Sequence, residues 1–353
     1  MNPGLTVAII GIGHIGAVHL QTARVHQHVN RTVAVDPDER QRELAGEIGA
    51  DERYRSVDSL LENEQPDLTV IAVPPGYHLE VAEPVIEAGS NVFVEKPIAR
   101  TPVEAAELIR LADSNNVAIG VDHTIRYQDD IRKLKSALDA GEFGAVPTCS
   151  IWRINNGPFD APPANPSGPG WQLDPDMAGG GALLDLGVHL FDVVEWFFGE
   201  VSLEYASVDQ VLSLPVEDAA TVVLKTKSGT VATVTCGYFQ WEQPPDITSG
   251  MRIDGIAASG SNHAYRPRNF YSHVAESALK NVIAALRGTD PAYFRPSYYY
   301  EAHFTALTEC IDAIVRGDTP PVSGTDGKRM VDLVYEAYEL AGIAPQPMEA
   351  AND

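Results

Sequence analysis

The sequence predicts a two-part α/β protein: a doubly wound parallel sheet at the N-terminus, then an α+β domain containing a mostly antiparallel open sheet. Three observations predict it. Continuous apolar runs rich in β-branched residues alternate with helical patterns early in the chain, a glycine-rich turn follows the first run, and after about residue 122 the pattern changes to alternating strands between helices.

The first domain is placed at residues 1–122. LTVAIIG (5–11), RTVAVD (31–36), LTVIAVP (68–74), SNVFVEKP (90–97) and NVAIGVD (116–122) read as strands bounded by turn residues. Between them, AVHLQTARVHQ, ERQRELAGEIG, LEVAEPVIEAG and TPVEAAELIRLADSNN carry apolar residues at helical spacing. Strands buried on both faces and separated by helices require parallel pairing. The second domain takes residues 123–353. A helix at about 128–140 leads through GEFG into strand-like TCSIWRI, then a Pro-, Gly- and Asn-rich loop from Asn155 to Pro175. GGGALLDLGVHLFD (179–192) reads as a helix entered through three glycines. ATVVLKT and TVATVTCGYFQW follow as strands joined by KSG, with weaker strand signals to about residue 265. Helices in roughly 299–316 and from Asp326 to Ala341 close the chain and are free to pack back on the first domain.

Composition excludes several functions. Acidic residues outnumber basic ones 49 to 25, only seven of the latter are lysine, and the net charge is -24. Nucleic acid is therefore not an expected partner. The charge is spread along the chain, as suits a surface kept soluble in a salt-rich, halophilic cytoplasm where counterions screen self-repulsion. Cys149, Cys236 and Cys310 are odd in number and lack metal-ligand spacing, so neither a disulfide framework nor a metal site is expected. No apolar run approaches the roughly 18 residues that would span a bilayer, and no signal peptide is evident. A cytoplasmic location is the expectation.

GIGHIG (11–16) follows a strand and opens a helix. Gly11 permits the tight turn, Gly13 lets the backbone approach a pyrophosphate, and Gly16 permits close helix packing. His14 and Ile15 lie between the last two. Asp36, twenty residues after Gly16, ends the second strand. A carboxylate there accepts from ribose hydroxyls and repels a 2′-phosphate, which favours NAD; Arg40 and Arg42 nearby leave NADP open. Pro74, His78, Glu95 and Lys96 fall at the carboxyl ends of later strands, on the expected cofactor edge. His78 has the alternative of capping the helix after it. In the second domain Asp185, His189 and Asp192 stand at i, i+4 and i+7 and would share one stripe of a regular helix.

GIGHIG, AVPPGYH, EKP, GGGALLDLGVHLFD and the closing VSGTDGKRMVDLVYEAYELA together resemble the Gfo/Idh/MocA family over nearly the whole length. The resemblance implies an N-terminal Rossmann domain and NAD(P)-dependent oxidation of a secondary alcohol of a sugar, inositol or sugar derivative, or the reverse. It also implies a homo-dimer or homo-tetramer. It carries the catalytic lysine onto Lys96, the aspartate onto Asp185 and the histidine onto His189. Histidine titrates near neutrality and suits the proton step, the aspartate orients it, and the lysine stabilises alkoxide charge. Asp192 is expected to be structural. Arg126, Asn155, Trp171 and Tyr238 lie on segments that face the nicotinamide in that family and are the expected substrate contacts. Two alternatives stay open: an internal oxidation–reduction cycle on tightly held NAD, as in glycosidase- or epimerase-like chemistry, and a non-catalytic dinucleotide sensor.

Overall fold

The structure, a computed structural model, describes residues 4–159, 170–239, 247–262 and 298–343, with Leu279, Val282, Ile283, Leu286 and Arg287 besides. Gln240 and Trp241 of the predicted strand, residues 160–169 of the proline-rich loop and the strand signals beyond residue 262 lie outside the described residues.

Six short strands, β1 (Leu5–Ile10), β2 (Val29–Val35), β3 (Glu52–Tyr54), β4 (Leu68–Ile71), β5 (Asn91–Val94) and β6 (Ile119–Val121), pair in parallel in the order β3-β2-β1-β4-β5-β6. The helices between them are α1 (His14–Val25), α2 (Glu39–Ile48), α3 (Val57–Leu61), α4 (His78–Glu87) and α5 (Pro102–Asn115). Val7, Ile9, Val33, Val70, Val92 and Phe93 are all buried, which is why these strands read as continuous apolar runs. β3 escaped the sequence reading because Glu-Arg-Tyr offers no apolar run; as an edge strand it pairs only with Val33–Val35 of β2. Strand order reverses between β1 and β4, and a doubly wound sheet opens its ligand crevice at the carboxyl ends of such strands. The GIGHIG turn begins there.

The second sheet is mixed. After α6 (Asp129–Asp139) come β7 (Thr148–Asn155), the short α7 (Pro175–Ala178), α8 (Val188–Phe198), β8 (Val201–Asp209), β9 (Ala219–Thr226), β10 (Val231–Gly237), β11 (Ile247–Asp254) and β12 (Ser259–Asn262). The order is β12-β11-β7-β10-β9-β8, antiparallel except for the β7–β10 pair. One face is covered by α8, which packs on β7 and β10. Val222, Leu224, Val234, Ile253 and Phe191 are buried in that core, each contributing about 1.5–3 kcal/mol of transfer free energy.

Two helices complete the chain: α9 (Tyr298–Arg316) and α10 (Gly324–Ala341). The structure divides into two compact units. One holds the chain to Ile98, Val103–Thr124, and the residues from Tyr298 to Asp326; the other holds Ala99–Pro102, the described residues from Ile125 to Asn262, and those from Gly327 on. The sequence reading divides the chain once, near residue 122; in the structure it crosses more than once, because α9 packs on α1 of the parallel-sheet unit.

Two expectations are corrected. Residues 179–192 are not one regular helix: Leu183–Gly187 forms a π-helical turn in which the Val188 N–H donates to the Leu183 carbonyl, five residues back. The expected lack of a long apolar segment also fails, since Pro175–Phe198 is 24 residues with a mean hydropathy of 1.4 over its most apolar window. That window is 89% buried inside the protein, so the segment is a core helix.

A β-carbon added to Gly16 would lie 1.8 Å from the Gly11 carbonyl oxygen, whereas one added to Gly13 meets nothing within 4 Å. Gly16→Ala is therefore expected to lower unfolding free energy by about 3 kcal/mol, the upper range of overpacking costs. Gly13→Ala should stay within about 0.5 kcal/mol of the parent. Urea denaturation of both variants checks this, and equal losses would contradict the packing account.

Candidate active site

The parallel-sheet unit turns tightly between its first strand and α1. Gly11 sits at φ +87°, and any β-carbon there would meet the Ala72 carbonyl oxygen at 2.7 Å. The cap position of α1 is Gly13, which brings no side-chain cap, and the first turn holds no acid. Gly13 and His14 are exposed and Ile15 is half-buried. His14 stands edge-on to Tyr300 with ring centroids 5.0 Å apart. Asp36 is buried at the end of β2, where one carboxylate oxygen accepts from the Ile12 N–H at 2.7 Å and the other from Asp38 N–H at 2.8 Å. Each oxygen keeps a further acceptor site for a ribose hydroxyl. Arg42 donates to the Asp36 and Pro37 carbonyls at 2.7 and 2.9 Å, so the nitrogen making these bonds stiffens the loop. An uncapped helix start, a glycine without obstruction and an oriented acid fit a dinucleotide: Gly11, Gly13 and Gly16 for the pyrophosphate, Asp36 for the ribose.

The later members of the expected cofactor edge divide. Pro74 is half-buried and precedes the short 3-10 turn Pro75–Tyr77. His78 does not face a cofactor: it is fully buried, with Nε2 2.9 Å from the Val73 carbonyl and Nδ1 3.2 Å from that of Ile98. Burial lowers its pKa against the pull of those carbonyls, and a neutral ring, with one N–H, donates to only one of the two. Glu95 is likewise turned inward, its Oε1 2.8 Å from Nε2 of the buried His19. Burial and then the charge of Asp122 raise the Glu95 pKa. Burial opposes protonation of His19, but Asp122 and Glu95 outweigh it and hold that imidazole at about 9. Lys96, the next residue, is half-buried.

In the second unit the three glycines serve packing, not approach to a ligand. A β-carbon on Gly181 would lie 1.9 Å from the Glu217 carbonyl oxygen, on Gly180 2.5 Å from the Tyr338 hydroxyl, and on Gly179 2.6 Å from Cβ of Arg100. Glu217 is the reason for the crowding. Its buried carboxylate accepts from the N–H groups of Gly181 at 2.7 Å and Leu183 at 3.1 Å and from the Tyr338 hydroxyl at 2.7 Å, while its carbonyl accepts from Ala182 at 2.9 Å. Burial raises its pKa even with these donors.

From that anchor the chain presents Asp185, the one half-buried residue in an otherwise buried run from Ala178 to Val194. Tyr238 donates its hydroxyl to Asp185 at 3.0 Å. Burial, then the Asp185 charge, holds that phenol well above its ordinary pKa, so it remains a donor. His189 follows one turn later and is buried. Asp192 is fully buried, and Arg126 grips both its oxygens through Nε and Nη2 at 2.6 Å each. The guanidinium lies 5.7 Å from the Trp196 ring centroid. Arg126, expected at the substrate, is thus engaged in neutralising Asp192. Asn155 closes the turn after β7 by accepting from the Gly157 N–H at 2.8 Å, and Trp171 is 37% exposed on the 3-10 turn Gly170–Leu173.

The structure thus brings Asp185, His189 and Tyr238 together in one unit, while Lys96 belongs to the other. Sequence reading missed Glu217, Tyr338, His19 and Asp122. His19 and Asp122 lie inside segments quoted as helix and strand, where periodicity absorbed them. Glu217 had no local signal, because its partners are 34 or more residues away.

Residues 5–123 match the family model described as "Oxidoreductase family, NAD-binding Rossmann fold", and residues 131–258 match that of the GFO/IDH/MocA C-terminal domain. The chain is 24% identical to myo-inositol 2-dehydrogenase of Thermotoga maritima over 347 residues, 94% of this chain and 95% of that protein. It is 27% identical to D-apiose dehydrogenase of Paraburkholderia graminis, covering 94% of this chain and 86% of the relative. Among solved structures, GenD2 from gentamicin A biosynthesis in complex with NAD superposes with a TM-score of 0.78 at 23% identity, covering 97% and 95% of the two chains. The scyllo-inositol dehydrogenase of Lactobacillus casei with NAD(H) and scyllo-inositol gives 0.72 at 18% identity, covering 95% and 97%.

Arg126→Met, which leaves the buried Asp192 carboxylate unpaired, should cost about 3–5 kcal/mol of stability, and Arg126→Met/Asp192→Leu should restore most of it. Chemical denaturation of the two variants tests this. An Arg126→Met variant of undiminished stability with a raised KM would instead return Arg126 to the substrate.

Proposed function

The chain belongs to the Gfo/Idh/MocA family of NAD-binding oxidoreductases, the sugar and inositol dehydrogenase type, and on that basis we propose that Lys96, Asp185 and His189 oxidise a secondary hydroxyl of a polyol or sugar. The observation that supports this most directly is Asp185 itself. It is a half-buried acid held by Tyr238 at the mouth of a buried helix, with His189 one turn behind. Apolar residues would fill so buried a segment without the desolvation cost that two ionisable groups carry, which favours a chemical role for them.

His189 takes the proton of the substrate hydroxyl, and the C–O bond gains double-bond character as hydride leaves the same carbon. NAD, held by Gly11, Gly13, Gly16 and Asp36, would supply the hydride acceptor. Asp185 orients the imidazole or the hydroxyl, and Tyr238 fixes the Asp185 carboxylate by donating to it. Lys96 stabilises the negative charge that grows on the alcohol oxygen. The reverse sequence reduces the ketone. Trp171, being exposed and flat, is proposed as a wall for the sugar ring. Asn155 and Tyr238 act through the turn and the acid they hold. The names of the relatives favour inositols and pentoses as the first substrates to try.

Purified protein given NAD and a panel of inositols, hexoses and pentoses should produce NADH, read as its near-ultraviolet absorbance. Lys96→Ala and His189→Ala should each lower kcat by about 10²–10⁴ with folding intact by circular dichroism. Full activity in either variant would remove that residue from the mechanism. Asp36→Ser should raise kcat/KM for NADP relative to NAD by at least about tenfold, since the carboxylate repels a 2′-phosphate. An unchanged ratio would show that Asp36 does not set the preference.

A further inference from the structure

Four side chains of the parallel-sheet unit converge on one point that the proposed hydride transfer does not use. They are His19 of α1, Glu95 just after β5, Asp122 just after β6, and His303 of α9. Nε2 of His19 lies 2.8 Å from Oε1 of Glu95 and 3.4 Å from Oδ2 of Asp122; Nδ1 of His303 lies 2.6 Å from the same Asp122 oxygen and 3.8 Å from the same Glu95 oxygen. All four ligand atoms fall within 4.8 Å of one another. We propose that this cluster binds one divalent first-row transition ion of the zinc class, held by two imidazole nitrogens and two carboxylate oxygens.

Geometry and charge carry the proposal. Zinc–nitrogen and zinc–oxygen bonds of roughly 2.0–2.2 Å place tetrahedral donors about 3.3–3.5 Å apart. The His19–Asp122 separation of 3.4 Å matches that value and the His303–Glu95 separation of 3.8 Å slightly exceeds it, while the 2.8 and 2.6 Å pairs are hydrogen bonds that open to admit the ion. To ligate an ion His19 gives up the proton that Asp122 and Glu95 hold on it; two carboxylates and two neutral imidazoles then carry a charge of about minus two, which a divalent cation cancels. The second oxygen of Asp122, Oδ1, is buried with no hydrogen-bond partner among the described residues. A carboxylate so placed can widen its grip on an ion from one oxygen to two. The donors come from four separate elements, so the ion would fasten α1 and α9 to the carboxyl ends of β5 and β6, and would fix the residue preceding Lys96. His19 and Asp122 are closed to solvent, while the Glu95 and His303 side chains remain 13% and 11% exposed, which gives the ion its way in. A competing surface group exists at His26, His28 and Asp312, where the imidazoles lie 3.4 and 4.0 Å from the carboxylate.

The test uses tag-free, full-length protein stripped with a chelator and titrated with Co²⁺ as a spectroscopic probe, then with Zn²⁺. The expected result is one Co²⁺ per chain with the intense visible bands of a tetrahedral site, displacement by Zn²⁺, and a rise in the thermal midpoint on binding. His303→Gln and Asp122→Asn should each weaken affinity by at least about tenfold, while His26→Ala/His28→Ala leaves it unchanged. His303→Gln alters the more accessible ligand, so circular dichroism is expected to show it folded, and it decides the matter if Asp122→Asn does not fold. Wild-type protein without visible bands overturns the proposal. So does binding that survives His303→Gln and disappears in the His26→Ala/His28→Ala variant. NADH production is read separately and can fail or persist without affecting the outcome.

Discussion

Every helix leaves its first N–H groups without partners inside the helix, and both units of this protein are organised around how that deficit is met. At α1 the cap residue is glycine, which brings no side-chain cap, and a β-carbon added to Gly13 would meet nothing within 4 Å. A bound phosphate supplies the missing acceptors and gains from the helix dipole. At the π-helical turn before α8 the deficit is met from within, by Glu217. One helix start is built to receive a ligand, the other to hold still.

Much of the remaining architecture follows from these two solutions. The close contact of Gly16 with the Gly11 carbonyl seats α1 on β1 and β4, and Asp36 reaches the same turn by accepting from the Ile12 N–H. In the second unit Glu217 and Tyr338 leave no room for β-carbons at positions 180 and 181. The rigid entry makes the π turn the place where Asp185 emerges, with Tyr238 to hold it. Buried charge elsewhere is matched just as closely. Asp192 is gripped at both oxygens by Arg126, and His19 lies between two carboxylates. An unmatched charge in any of these interiors would cost several kcal/mol.

Hydrophobic period made most of the fold legible in the sequence. Strands covered on both faces produce unbroken apolar runs, so β1, β2, β4, β5 and β6 could be read directly, whereas β3, an exposed edge strand with polar residues, could not. The glycine motif and Asp36 were legible because a phosphate site on a strand–turn–helix unit has fixed local spacing. For His78, Glu95 and Arg126 the segments were legible but the protein partners of their side chains were not. Each lies near a ligand-binding edge in sequence, yet its side chain turns toward carbonyls, an imidazole or a carboxylate supplied by a distant part of the chain.

By itself, then, the sequence determined what depends on local order: the alternation of strands and helices, the dinucleotide turn, and the presence of Asp185 and His189 in a buried segment. Tertiary structure alone decided which charges meet. Glu217 finds its partners 34 or more residues away, and His303 reaches Asp122 across 181. It also decided the π turn at Leu183–Gly187, where a regular helix was expected. Side-chain pairing over such separations is set by how sheets and helices stack, and no repeat or spacing in the chain encodes it.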